Sequence, residues 1–523
     1  ETMEFNAPIL LHDLISVYAH VERIGRTSIA IRLDVIATRG RNAEEVRVTS
    51  GLFGRQAASF APDCRSTNTA AGEAGRPAHQ RWAEFGPQAE HYELHAAQRE
   101  GWVFNPAYPP QPVWTFQAAV ADLSVLSPVV HSHYGHPIMC RIYNDLPASH
   151  TGFGTPEIST HLHNAHVGSE SDGFPGDYYS ATKAGPNLTA PGGFKDHLYS
   201  NIYAGYDELQ NGIGDYREAL GTLFYHDHTL DFTAPNIVRG LMGFFLLFDH
   251  LDSGNEKDPN PAALRLPSHP YDYPLSFCDR RFDPNGILYY DQVSPEGILG
   301  DKTIVNGKIQ PVLRVARRKY RLRLLNGGPS RFYQFYLVRP NNVIQPFTYI
   351  ANDGNLLPAP LTMNAVRLAP AERADIVIDF SKYPHGTRLY LVNRLLMKDG
   401  RGPEGLSSRG EQLLRFDVDT DPLEQDVSQV PARLRELPPI NLNDVVRTRR
   451  WEFDKDNAIW TVNKKIFDPE KAAAVVKRNT AEIWELRGNG SWHHPVHVHM
   501  EEVRILSRNG VPPPPHEQGR KDV

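Results

Sequence analysis

Three short stretches of this chain carry histidines at a spacing that can do chemistry. THLHNAH places His161 and His163 two residues apart, and LFYHDHT does the same with His226 and His228. HHPVHVHM adds His494, His497 and His499. In an extended strand, residues i and i+2 project from the same face, so an H-x-H pair delivers two imidazoles to one side. Imidazole suits copper, zinc, iron and nickel. Crowded histidines repel one another when protonated and serve best as neutral ligands. A single pair is equally well explained as polar residues at a strand edge. Three pairs in one chain, each beside a Gly- or Pro-containing turn, point to a metal. The placement of the 23 histidines supports this. Only His385 falls between Tyr271 and Trp492, after which His493, His494, His497 and His499 arrive together. His166 and His493 read as neighbours of ligands, and His131, His133 and His136 as surface or turn residues. Met500 reads as a core residue.

The composition narrows the classes. The 55 basic and 61 acidic residues leave a net charge of −6, which excludes broad attraction to nucleic acid or to an anionic membrane. The longest apolar run, Leu241 to Phe248, is far short of the roughly 20 residues that span a bilayer. Three widely spaced cysteines form no CxxC pair and no disulfide framework. The 42 prolines and 40 glycines disfavour a mostly helical fold. No basic region followed by an apolar run opens the chain, which favours a cytoplasmic location, although a chain starting at Glu1 leaves its targeting signals unread.

The elements that must position the histidines are strands. Residues 1–53 hold two long alternating runs, Leu14–Glu22 and Thr27–Ala37, expected to form a hairpin. Residues 54–86 are rich in Ala, Gly, Ser and Arg and read as a linker. Short apolar runs between turn residues then define three β-rich units at 87–250, 260–417 and 443–523. GLMGFFLLFD reads as a buried strand. KYRLRLLNGG and ADIVIDF alternate apolar and charged residues and are expected to be half-buried strands. The third unit, which includes HHPVHVHM, is expected to be β-rich as well.

HLHNAHV…SDGFP, YHDHTLDFTAPNIVRGLMGFF and HHPVHVHMEEVRIL resemble the first three copper motifs of multicopper oxidases. The flavour is that of the bilirubin-oxidase, spore-coat laccase and phenoxazinone-synthase branch. GDKTIVNGKIQPVL, ANDGNLL and LAPAERADIVIDF resemble that branch's second domain, so the resemblance covers roughly 87–523. It implies an all-β fold of three cupredoxin-like Greek-key β-barrel domains, the third truncated, behind a hairpin fragment and a linker. It also implies copper as cofactor. By the resemblance His161 and His497 hold the type 2 copper, and His163, His226, His228 and His499 hold part of the type 3 pair. His494 is one type 1 ligand. Asp172, in SDG, is an acid that relays protons to reduced oxygen; as a plain sequence feature it is an Asx-turn residue before Gly173. The implied partners are a small-molecule reductant, such as a phenol or aminophenol, and dioxygen; no nucleic acid, membrane or particular oligomeric state is called for.

The family's fourth motif, H-C-H-x3-H-x4-M, is not among these residues, and none of Cys64, Cys140 or Cys278 is flanked by histidines. The type 1 site is therefore incomplete as written, since a blue site needs a His2Cys set. TMEFNAPILLHDLISVYAHVERIGRTSIAIRLDVIATR resembles a stretch of hotdog-fold acyl-CoA thioesterases. Two alternatives to an oxidase stand on these residues: a non-catalytic copper-binding cupredoxin protein, and a thioesterase remnant. A zinc hydrolase fits less well, because HExxH is absent. The expected outcome for a polypeptide of these residues, loaded with copper and given an aminophenol, is no sustained oxygen uptake and no thiolate-to-copper absorption. Sustained uptake in an oxygen electrode would refute it.

Overall fold

The computed structural model describes residues 3–5, 14–24, 28–39, 44–56 and 90–522, with breaks at 119–125, 175–177, 181–182, 185–187, 204–214, 292–297, 457–458, 469–470, 478–479, 491 and 501–502. The expected hairpin is present as Leu14–Ile24 antiparallel to Ser28–Arg39. A further long strand, Glu44–Gln56, pairs with the second of these, and Met3–Phe5 completes a four-stranded sheet. Most of the expected linker lies outside the described residues.

Residues 90–248 build two four-stranded sheets. One runs Phe194–Tyr199, Ile138–Asp145, Glu90–Trp102, Gln111–Ala118. The other runs Val130–His133, Met242–Phe248, Thr222–Asp227, Thr160–His163. Each contains one parallel pair, so its neighbours cannot all be joined by hairpins. The second sheet is apolar on both sides. Leu162, Leu223, Tyr225, Phe245 and Leu247 point into the core shared with the first sheet. Phe224, Phe244, Leu246 and Phe248 point the other way and pack with Leu325 of the middle unit. GLMGFFLLFD is therefore a strand buried on both faces, as its unbroken apolar run predicts. The short helix Thr233–Arg239 was not legible as a helix in the sequence. It ends at Gly240, whose φ of 125° and approach to the Trp114 carbonyl leave no room for a side chain.

Residues 272–420 form two larger sheets around one apolar core that includes Phe277, Leu322, Leu324, Phe335, Ile376 and Phe416. The expectation of half-buried strands fails here. Lys319–Asn326 and Arg373–Asp379 are buried on both faces. The alternation is real, but the charged face is covered by the amino-terminal sheets and satisfied by ion pairs. Arg321 bonds Asp252 at 2.8 Å and Asp375 at 2.6 Å. Arg323 bonds Asp272 at 2.6 Å and the Gly221 carbonyl at 2.9 Å. Asp375 also accepts from the Thr222 hydroxyl at 3.0 Å.

Residues 445–488 carry a three-stranded sheet with Val445–Asp456 between Ile459–Val462 and Ala481–Gly488. Among the described residues no helix is long and apolar enough to cross a membrane.

Removing one partner of a buried ion pair strands the other charge, at about 3–5 kcal/mol. Arg321→Met removes the closest cation of both Asp252 and Asp375, leaving Asp375 only Arg323 at 3.7 Å, and it is expected to lower unfolding free energy by about that amount. A denaturant titration checks it; a change under about 1 kcal/mol contradicts the assignment.

Candidate metal centre

Backbone register brings the first two histidine pairs together. Thr160–His163 runs antiparallel to Thr222–Asp227, with His161 opposite His226 and His163 opposite Phe224. Leu162 and Tyr225 alternate with them into the core, so the three imidazoles share the opposite face. His228 lies just past the strand end, where its amide bonds the Ser159 carbonyl at 2.7 Å. Asp227 braces that turn by accepting from Ser159, Thr229 and Asn236, each at 2.9 Å.

The third group departs from expectation in one respect. His497 and His499 lie in backbone outside any strand, with no ladder partner among the described residues. They nonetheless reach the same place. The His163 and His497 rings stack at 3.7 Å, and those of His161 and His499 at 3.9 Å. His228 and His499 are 5.1 Å apart, His226 and His228 5.4 Å, and His161 and His497 5.7 Å. His161, His163 and His497 each offer a ligand atom within 4.8 Å of the others. Six of the seven predicted histidines are thus gathered. His494 is not one of them. It is exposed, its ring faces Phe453, and no group of three ligating side chains surrounds it among the described residues. Cys140 and Cys278 are buried and free, and burial pushes their thiols up to about 12 and about 11, which disfavours the thiolate a metal needs.

Each of the six imidazoles has one nitrogen tied to an outer partner. His161 Nδ1 donates to the Asp172 carbonyl at 2.6 Å, and His226 Nδ1 to the Asp227 carbonyl at 2.8 Å. His499 Nδ1 donates to Asp172 Oδ2 at 2.8 Å, and His497 Nδ1 to Asp522 Oδ1 at 2.8 Å. His163 uses the other nitrogen, with Nε2 donating to Asp522 Oδ2 at 3.1 Å. The Thr233 hydroxyl donates to the Thr229 carbonyl, so at 3.3 Å it accepts from His228 Nδ1. The remaining nitrogen of every ring keeps its lone pair, the arrangement that fixes tautomer and aim in histidine metal sites. Two of these nitrogens, His161 Nε2 and His497 Nε2, are buried with no hydrogen-bond partner. Unpartnered buried nitrogens beside one another are costly unless a cation occupies the space between them. The donor set therefore fits a borderline-soft transition metal such as copper.

Charge agrees with geometry. Burial lowers His161 to about 4, and it holds His163, His226 and His228 well below the usual histidine range. Burial alone would raise the carboxyls of Asp172 and Asp522. The close His161 Nδ1 and the hydrogen bond from His499 at the first, and the hydrogen bonds from His163 and His497 at the second, bring both well below the usual range. Asp172 can stand this close because Gly173 follows it. At φ 73° a side chain there would strike the Thr160 carbonyl, 2.2 Å from the Cβ position. Asp522 was not found in the sequence. It sits in GRKDV, which reads as a solvated charge run, and no spacing links it to His163.

An all-β protein whose units converge on six clustered imidazoles has the cupredoxin-like architecture with a candidate metal centre at the junction of its units. The multicopper oxidase family model matches residues 439–523. The chain is 29% identical over 468 residues to the laccase of Bacillus subtilis (strain 168), covering 79% of this chain and 82% of that protein. It is 32% identical over 378 residues to the bilirubin oxidase of Albifimbria verrucaria, covering 70% of this chain and 59% of that one. The McoA multicopper oxidase from the hyperthermophile Aquifex aeolicus shares the fold with a TM-score of 0.65 at 24% identity, over 84% of this chain and 87% of its own. In sequence and in fold the chain is thus similar to multicopper oxidases.

Burial also lowers His197, which donates to the Ser171 carbonyl, to about 4. In the folded metal-free protein His161 and His197 stay neutral below pH 6.5, while the unfolded chain takes up protons. Stability contributed by these groups is therefore present above about pH 6.5 and falls as pH drops toward 4, by about 1.4 kcal/mol per pH unit for each. Melting temperatures between pH 7 and 4.5 check this, and His197→Gln is expected to give a shallower slope than the wild type. An equal slope rejects it.

Proposed function

We propose that this chain is of the copper-dependent oxidase type that couples one-electron oxidation of phenols, aminophenols or similar small reductants to reduction of dioxygen to water, and that these residues, which lack the type 1 Cys motif, do not sustain that turnover by themselves. The observation that carries the reading is the convergence of six imidazoles, each with one nitrogen anchored to an outer partner and the other left for a metal. His161 and His497 are proposed to hold the type 2 copper, and His163, His226, His228 and His499 part of the type 3 pair. His494 is proposed as a type 1 ligand. Bound copper supplies electrons to dioxygen and a Lewis-acidic place for it to bind.

The chain's own residues do the rest. The Asp172 carboxylate fixes the tautomer of His499, and its carbonyl fixes that of His161. Its second oxygen, Oδ1, lies 3.3 Å from His161 Nδ1 without a hydrogen bond of its own. That oxygen is the group proposed to receive and pass protons toward the reduced oxygen, since reduction to water must draw protons into a site otherwise lined by histidine. The apolar Phe224 ring stacks on His163 at 4.6 Å and closes that side of the centre.

A single-turnover measurement tests this without any requirement for electron entry from an external substrate. Copper-loaded protein is reduced chemically, freed of excess reductant and mixed with dioxygen. The wild type is expected to consume it, His161→Ala together with His497→Ala to lose both copper and consumption, and Asp172→Ala to retain copper but react about 10²-fold more slowly. Copper retention with no oxygen consumption would favour the non-catalytic copper-binding alternative.

A further inference from the structure

Arg373 belongs to the middle unit, which contributes no histidine to the centre. Its side chain is 0% exposed, and every one of its N–H groups is used. Nε donates to the Thr222 carbonyl at 3.2 Å. Nη1 donates to the Ala371 carbonyl at 2.8 Å and to Asp522 Oδ2 at 2.7 Å. Nη2 donates to the Asp353 carbonyl at 3.0 Å and to Asn164 Oδ1. The acceptors come from all three units. Thr222 begins the strand that carries His226, Asn164 follows His163, and Asp522 holds His163 and His497. The guanidinium also lies 5.6 Å over the Phe224 ring, which stacks on His163 at 4.6 Å and on His226 at 5.0 Å. Arg373 thus supports the histidines from two sides without touching one.

We propose that Arg373 is a positioning residue for the metal centre. It fixes the plane of the Asp522 carboxylate, so that His163 presents Nδ1 and His497 presents Nε2 to the copper centre. The inference rests on reading the six histidines as a copper site. The physical reason is the shape of the cation. A buried carboxylate held only by the two imidazoles it anchors turns together with those rings. A planar fork that is itself held by four other acceptors removes that freedom. A lysine carries its donors on one atom and cannot reach Thr222, Asn164 and Asp522 together. An arginine that merely stapled the units would hold stability alone and leave ring orientation unaffected.

The test uses the 523-residue chain as wild type, Arg373→Lys, Arg373→Gln, Asp522→Asn and the Arg373→Gln/Asp522→Asn double variant. Copper(II) affinity is read by competition with a chelator, coordination by electron paramagnetic resonance, and folding by melting temperature. Each single variant is expected to lose about 10–100-fold in copper affinity and to change the hyperfine pattern, with no rescue by lysine. The double variant is expected to lose no more than the worse single one, because the two residues act as a unit. Wild-type affinity and spectrum in folded Arg373→Gln, or losses that add in the double variant, overturn the proposal. If Arg373→Gln does not fold, Arg373→Lys decides: a changed spectrum supports the proposal and a wild-type one overturns it. Absence of copper from the wild type overturns the oxidase reading and this inference together. Equal binding by wild type and variants overturns this inference alone.

Discussion

Two buried carboxylates organise the centre. Asp172 and Asp522 each stand behind one histidine from the amino-terminal sheets and one from the carboxy-terminal unit. The paired rings are the ones that stack: His161 on His499, and His163 on His497. Six desolvated imidazoles in one space would otherwise choose tautomers independently and turn N–H groups toward one another. An acceptor behind each ring settles the choice. The negative charge also offsets part of the cation that such a ligand set is built to hold. The rest of the fold can be read as what keeps those two acceptors in place.

The middle unit shows how. It contributes no histidine, yet it carries a cluster of buried charge. Arg321, Arg323, Arg373, Asp353 and Asp375, together with Asp252 from the segment before it, lie where two β units meet. Buried ion pairs are poor sources of stability compared with apolar packing. They are directional, however, and a junction of charges accepts one docking geometry where an apolar junction tolerates sliding. That property suits an interface on whose far side ring nitrogens must be aimed.

The parts of this arrangement that the sequence revealed are the ones written in a short period. His161 with His163 was legible because a two-residue spacing on a strand is geometry in itself, and the alternation in Leu14–Ile24 and Ser28–Arg39 marked their pairing equally well. KYRLRLL and ADIVIDF were correctly read as strands and wrongly read as half-exposed. Alternation reports which residues share a face and is silent on what covers that face. HVHM carried histidines that reach the centre from backbone that is not a strand. Asp522 and Arg373 left no local sign, because their roles come from residues far away in the chain. A charged residue in GRKDV or AERAD looks the same whether it meets water or a histidine.

The carboxylate bridges span long stretches of chain: Asp522 lies 359 residues from His163, and His499 lies 327 residues from Asp172. Contacts of such separation close late, since the intervening loop entropy must be lost before they form. The strands of each unit are more local and can be in place beforehand. The centre is therefore the last feature to be completed, and its six aligned nitrogens exist only once every unit has docked. A metal ion that required all of them would act as an inspector of finished molecules, bound firmly by those that assembled correctly and passed over by those that did not.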